Sequence, residues 1–339
     1  MIRFVVGDVA GTQIAEIEPD IGPISWRLND IGRVQFALAK TDAKVTEAIL
    51  RFGNRVLIEF DNGLPDWGGV IDTPREWGLG MVTCNAYGGE QILGYRQTDK
   101  TRAFEGDAIG VIYQALLSEA TAAKNTGITI GSIWHGGDTH ALEYHYKNIL
   151  AIIRETLCGS LSDYDYDVTG SLDSGKIVLA ANLYERKGYT KNNCVLIEGL
   201  NVSDAKLFEQ GQIINSWDLV GAGSDWGPDR PTAHAEDAAS IGRYGLRQGQ
   251  AIFNDIVDQN TLQSMADNLL SQSKDVHAMF DLSTVNISGP GGFADYDVGD
   301  TVRLQLHSYG FGGFDGLITI EAREYNPASD ECRLIVREA

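Results

Sequence analysis

The sequence predicts a β-rich α+β chain in which two small β-barrels flank an α+β insertion. Three observations carry this. Short β-branched or alternating runs crowd the first 100 residues and the last 64 or so. Two helical stripes interrupt them in the middle. The 39 glycines, against 8 prolines, are scattered as G-G, N-G and D-x-G punctuation, the composition of many turns between short elements.

The first block reads as strands at Ile2–Val6, Ile24–Leu28, Val34–Ala39, Val56–Asp61 and Met81–Tyr87, separated by Asn29-Asp30, Asp61-Asn62-Gly63 and Gly78-Leu79-Gly80. DAKVTEAIL, from Asp42 to Leu50, predicts one short helix with Asp42 near its positive end. Short strands, tight turns and one helix point to a small barrel. Beyond Arg96 the period changes. Asp107–Ala123 places Ile109, Ile112, Tyr113, Leu116 and Leu117 on one helical stripe, and Thr139–Cys158 places Leu142, Tyr146, Ile149, Ile153 and Leu157 on another. A hairpin follows, DYDYDV (163–168), GSLDSG (170–175) and KIVLAANLY (176–184), and then a strand near Cys194–Glu198. From Asn201 strands return, at VSDAKLF and at 213–223. Ser224–Ala239 predicts an exposed loop, and Thr261–Ser273 a third helix. In the final block Phe280 and Leu282 share one parity and Val285 and Ile287 the other, which predicts a β-bulge near Thr284 that would help a second barrel curl. The expected domains are 1–100 plus about 201–235, 101–200, and 236–339.

The length fits about two domains at roughly 100–200 residues each, and 43% hydrophobic residues can fill sizeable cores. The 27 Lys and Arg face 47 Asp and Glu, a net charge of −20. A general grip on phosphate needs clustered cations, so nucleic-acid binding is disfavoured. Apolar runs never approach the ~18 residues of a membrane span, and the four-residue apolar stretch before Gly7 is too short for a secretory signal. Cys84, Cys158, Cys194 and Cys332 are widely spaced, with no C-x-x-C, consistent with folding in a reducing cytosol.

No motif carries catalysis. His135, His140 and His145 lie beside Asp138 and Glu143, but a five-residue step is about 140° around a helix at roughly 100° per residue, the wrong geometry for a helical zinc pair. Asp163, Asp165 and Asp167 open like a calcium loop, yet Val168 and Ser174 stand where Gly and Glu are required, so a solvated surface strand is the expectation. GAGSDWG (221–227) runs into Pro228 and Pro231 and cannot open a phosphate-binding helix. G-x-S-x-G, H-E-x-x-H and P-loop patterns are absent. Trp67, Trp77, Trp217 and Trp226 sit in or beside strands, where a tryptophan serves a core or interface more often than a sugar platform. The expectation is a non-enzymatic protein with no cofactor and no metal.

Several local patterns, in order along the chain, resemble the tail hub proteins of long-tailed bacteriophages. That family includes the myophage baseplate hub, the late control protein D group and the N-terminal module of siphophage tail-associated proteins. ISWRLNDIGRVQFALA is similar to the family's opening hairpin. VLIEFDNGLPDWGGVIDTPREWGLGMVTCNAYGGEQILGYR resembles its W-x-G-x-I strand and a following short helix, with Trp67, Gly69, Ile71, Gly89, Gln91, Leu93 and Arg96 in the matching places. DAASIGRYGLRQ resembles the S-I-x-x-Y-G segment at Ser240, Ile241, Tyr244 and Gly245, and YDVGDTVRL the V-G-D-x-V opening of the last barrel, at Gly299 and Asp300. The resemblance implies tail-tube-like barrels and a homotrimeric, structural tail-tip hub that joins a six-fold tail tube or distal tail protein to a three-fold central fibre or spike. Contact with the tape measure protein is also implied. DNA would pass through it without specific binding, and it would be assembled in the bacterial cytoplasm, with no membrane insertion. The middle insertion matches nothing in the family, and no peptidase or lysozyme module follows residue 339, so cell-wall cleavage would fall to another protein. Alternatives are a hexameric distal tail protein and, in another class, a carbohydrate-binding or carbohydrate-active protein.

Overall fold

Period-two patterning builds most of the chain. In Arg33–Ala39, Val34, Phe36 and Leu38 are buried while Arg33, Gln35 and Ala39 face out, so one face of the strand covers a core. The computed structural model describes residues 2–210, 212–223, 230–307 and 312–339. Seven strands come first: β1 (Ile2–Gly7), β2 (Gln13–Ile17), β3 (Asp20–Arg27), β4 (Arg33–Ala39), β5 (Arg55–Phe60), β6 (Trp67–Trp77) and β7 (Met81–Gly88). The middle contains α1 (Gln91–Gly94), β8 (Arg102–Ala108), α2 (Ile109–Ala123), β9 (Ile128–Ile133), β10 (Thr139–Tyr144) and α3 (Ile149–Ala151), which continues as a π-helical stretch, Ile152–Ser160. Then come β11 (Asp165–Asp173), β12 (Lys176–Tyr184), β13 (Thr190–Ile197), β14 (Val202–Gln210), β15 (Ser216–Val220), β16 (Thr232–Glu236), α4 (Ala238–Tyr244), β17 (Gln248–Ile252) and α5 (Gln259–Ser273). The chain finishes with β18 (His277–Val285), a 3₁₀ turn at Phe293–Asp295, β19 (Thr301–Leu306), β20 (Phe314–Asn326) and β21 (Glu331–Glu338).

The two expected barrels are not formed: the strands of both blocks belong to one open thirteen-stranded sheet, and among the described residues no sheet closes on itself. Its main order is β14-β18-β21-β20-β3-β4-β7-β6-β5-β1-β2, with β19 against β20 and β13 against β19. The long strand β20 is the reason. Residues 314–319 pair with β19, a register shift falls between Ile320 and Ala322, and residues 322–325 pair with β3 from the first block. A bulge turns a strand toward a new neighbour. Here it delivers the edge of one block to the edge of the other, whereas closure would need each block's last strand to meet its own first.

One hydrophobic core accordingly unites the blocks, with Phe4, Phe36, Ile58, Trp67 and Ile71 alongside Phe280, Leu304, Ile320 and Leu334. A second core joins α2, the π-helical stretch, β11 and β12 to β15, β16 and α5, through residues such as Tyr113, Leu157, Leu179, Leu219 and Met265. Three smaller sheets accompany it: β10-β8, β11-β12-β9 and β16-β15-β17.

Four local expectations change. Residues 42–50 form turns instead of a helix, because the buried Asn54 amide captures the Ala48 and Ile49 carbonyls at 2.8 and 3.0 Å. Thr139–Tyr144 is a strand paired with β8, and helical structure starts only at Ile149; Tyr146 between them has φ +48°, outside any right-handed helix. Within the expected loop at 224–239, Thr232–Glu236 pairs with β15, while 224–229, with Trp226 and most of the GAGSDWG turn, lie outside the described residues. Finally, β18 keeps its alternation through a buried Thr284, whose hydroxyl is 3.1 Å from both the Tyr296 hydroxyl and the Cys332 carbonyl. The irregularity sits across from it on β14, between Val202 and Asp204.

Candidate functional site

The most elaborate side-chain constellation is a buried polar joint where the first block, the insertion and the last block meet. Its floor is β11, whose alternation was expected to leave three carboxylates in water. Only Asp163 is exposed; Asp165 and Asp167 are buried. Asp165 accepts from the Asn29 side-chain amide at 2.8 Å and from the Lys187 backbone N–H at 2.7 Å. Asp167 accepts from Asn182 at 2.7 Å and faces the Lys187 ammonium at 2.9 Å. Burial pulls the Lys187 ammonium pKa down, but the Asp167 and Asp297 carboxylates outweigh it and raise the value overall. Asn29, at φ +56° in the turn after β3, reaches further by accepting from the Tyr166 N–H at 2.8 Å.

Glu90, at the start of α1, closes the joint from the side of the first block. It accepts from the Val168 N–H at 2.8 Å, and its burial pushes its pKa up to about 7. Above it, β6 and β11 cross so closely that a Cβ on Gly68 would stand 2.5 Å from the Gly170 Cα. Two glycines facing each other are what permits the approach.

The V-G-D turn docks at the same joint. Gly299 has φ +95°, and a Cβ there would lie 2.7 Å from the Lys187 carbonyl. The buried Asp300 accepts from the Tyr189 and Asp297 N–H groups, each at 2.8 Å, and lies 3.5 Å from the Lys191 ammonium. All these carboxylates are engaged by protein donors. They lock segments together, and the cleft that Glu90, Asp167, Lys187 and Asp297 share is small, about 80 Å³. Among the described residues no group of three or more His, Cys, Asp and Glu side chains could hold a metal ion. His140 is buried, His145 sits against Lys100 and Thr101, and His135 does not join them.

The other motif positions occupy separate places. Trp67 is buried and donates from its indole N–H to the Ser25 carbonyl at 3.0 Å; Gly69, two residues on, has no room for a Cβ because the Tyr87 carbonyl would be 2.2 Å and the Trp67 ring 2.5 Å away. Ile71 completes that face in the first core. Leu93 belongs to the second core, and Arg96 touches the α2 terminus through the Lys124 carbonyl at 3.4 Å. Ser240 lies in α4, where its N–H is capped by Asp237 at 2.8 Å and its hydroxyl takes the Asn215 amide at 3.2 Å. Gly245, φ +76°, ends that helix with its N–H on Ile241, and its carbonyl accepts from Asn215 at 2.9 Å. Tyr244 is half-buried, with the Arg243 guanidinium 5.4 Å from its ring.

No protein-family model and no curated protein sequence matches the chain. Solved structures do. The chain superposes on the prophage MuSo2 43 kDa tail protein from Shewanella oneidensis with a TM-score of 0.63 at 14% identity, over 99% of this chain and 97% of that one. The tail protein from Neisseria meningitidis MC58 gives 0.62 at 11% identity over 99% and 96%. The prophage tail protein gp18 from Listeria monocytogenes gives 0.61 at 15% over 99% and 94%. The chain has the fold of phage tail proteins. At such low identity the likeness speaks for the fold alone, and it spans the chain from end to end. Trp67, a candidate sugar platform, is core within that architecture, and Trp217 is half-buried with its indole N–H on the Ser273 hydroxyl at 2.9 Å. No helix of the described residues is long and apolar enough to cross a membrane.

Proposed function

We propose that the chain is a structural component of a phage tail, a tail-tip hub. In this reading it works as a homotrimer that adapts a six-fold tail tube or distal tail ring to a three-fold central fibre or spike, and that surrounds passing DNA. The observation carrying the reading is the fold shared over essentially the whole chain with three tail proteins of different bacteria. The buried joint supports it as well. A part that transmits load between a tube and a spike must not hinge, and buried ion pairs backed by hydrogen bonds from several segments favour one arrangement over others. The net charge of −20 suits a channel through which phosphates slide without sticking.

Electron micrographs of assembled tails labelled on this chain test the proposal. Three copies around the axis at the tube's distal end are expected. Six-fold symmetry would favour a distal tail ring instead, and absence from the tail would overturn the reading.

A further inference from the structure

The outer half of the β6–β7 hairpin carries an apolar and cationic ledge that folding does not account for. Trp77 is 59% exposed, Phe52 41%, and Leu79, in the turn, is wholly exposed. Trp and Arg dominate the energetics of protein interfaces, and leaving such side chains in water is costly unless something covers them. Arg75 lies between the two aromatic rings, its guanidinium 4.6 Å from Phe52 and 5.6 Å from Trp77, and Lys40 covers Trp77 from 5.8 Å. Arg75 also donates to the Leu50 carbonyl at 2.7 Å, and the Lys40 N–H to the Gly80 carbonyl at 2.9 Å. The ledge is therefore fixed before any partner arrives, which lowers the entropy cost of binding.

Charge indicates what it fits. Residues 40–52 and 73–81 carry four cations, Lys40, Lys44, Arg51 and Arg75, against three carboxylates, whereas the whole chain carries 27 against 47. Two copies repel each other over most of their surfaces, and the ledge is a place where they need not. The stretch around β2 supplies the complement: Asp8, Glu18 and Asp20, with exposed Val9 and Ile14 beside them, while Glu16 is already paired with Arg3 at 3.1 Å. Their strand β2 ends the large sheet; the β11–β12 turn holds its start, with the Gln13 N–H on the Gly175 carbonyl at 2.9 Å, and beyond that no further strand pairs with its outer side among the described residues.

We propose that the ledge of Phe52, Arg75, Trp77, Leu79 and Lys40 is a self-association surface that docks on the acidic end of β2, at Glu18 and Asp20, in a second copy of this chain. The inference rests on the proposed self-assembly and leaves the number of copies open. Sedimentation velocity of the full chain at low and high salt tests it. The wild type should associate, less so at high salt. Trp77→Ala, Leu79→Ser and Lys40→Glu should each weaken association at least about tenfold, roughly the 1.4 kcal/mol that a tenfold change represents, with unchanged circular dichroism. Leu79→Ser keeps the test valid if the other variants unfold, because that side chain contacts water. Adding Glu18→Lys and Asp20→Lys to Lys40→Glu should restore association. A trimer that survives every ledge variant, or a charge swap that restores nothing, overturns the ledge and leaves the trimeric reading intact. A ledge-dependent dimer supports the ledge and overturns the trimer, and a wild-type monomer at all concentrations overturns both.

Discussion

The carboxylate of Glu90 accepts the backbone N–H of Val168 at 2.8 Å, tying the end of the first strand block to the middle of β11 across 78 residues of sequence. Both groups are buried, so the bond is made where water cannot replace it.

That placement sets a pH dependence. Burial raises the Glu90 pKa from an ordinary 4.5 to about 7. Between these values the folded chain binds a proton that the unfolded chain has released, so this group's contribution to stability falls as pH rises from about 4.5 to about 7. Glu90→Gln keeps an acceptor for Val168 and removes the titration. Relative to the wild type, the variant should gain up to about 3 kcal/mol between pH 4.5 and pH 7.5, read by urea titrations at both values. A constant difference between the two proteins would count against it.

Gly68 and Gly170 set how closely the insertion lies on the first block. Gly68→Ala would drive a methyl into the Gly170 backbone, and Gly170→Ala would place one 2.6 Å from the Gly68 Cα. Each should cost about 1–3 kcal/mol as an overpacking change, seen as a lowered Tm. Gly175→Ala is a poor control, since its φ of +77° is strained in itself; Gly242→Ala, with open space around its Cβ position and an ordinary helical backbone, should leave stability unchanged or raise it by up to about 1 kcal/mol.

Arg323 is fully buried and donates to the Tyr296 and Phe293 carbonyls at 2.9 Å each, while stacking 4.7 Å from the Tyr296 ring. Arg323→Ala leaves both carbonyls unpaired and opens a cavity. A loss of roughly 3–5 kcal/mol is expected by analogy with breaking a buried charged pair, measured by denaturant midpoint. Arg323→Lys, lacking the planar fork, should recover only part of it.

Asp300 holds the V-G-D turn against the segment that leaves the insertion. Asp300→Ala removes the acceptor of the part-buried Tyr189 and Asp297 N–H groups, and a lost hydrogen bond to a charged group costs about 1.5–3 kcal/mol where it is buried and less where water can replace it. Hydrogen exchange at those two amides should accelerate well beyond the global loss of stability.

Much of the sheet was legible because period two marks strands wherever one face is covered: Val34–Ala39 and Val302–Leu306 alternate just as their burial does. Where the pattern was ambiguous, competition decided. Thr139–Tyr144 satisfies both a helical stripe and an alternating strand, and pairing with β8 selected the strand. The Asp42–Leu50 helix lost to the Asn54 amide. The joint was the least legible part. Alternation placed Asp165 and Asp167 on one face of β11 without saying that Asn29 and Lys187 would cover it, and nothing local to Glu90 or Asn215 announces their long-range partners.

By itself, then, the sequence determined the identity of most strands, the acidic balance and many of the core faces, which follow from composition and side-chain period. The tertiary structure alone decided that two strand-rich blocks share one open sheet instead of closing as two barrels. Which edge meets which depends on a register shift at Ile320–Ala322 and on backbone hydrogen bonds between β3 and β20, and those bonds join groups that every residue carries alike.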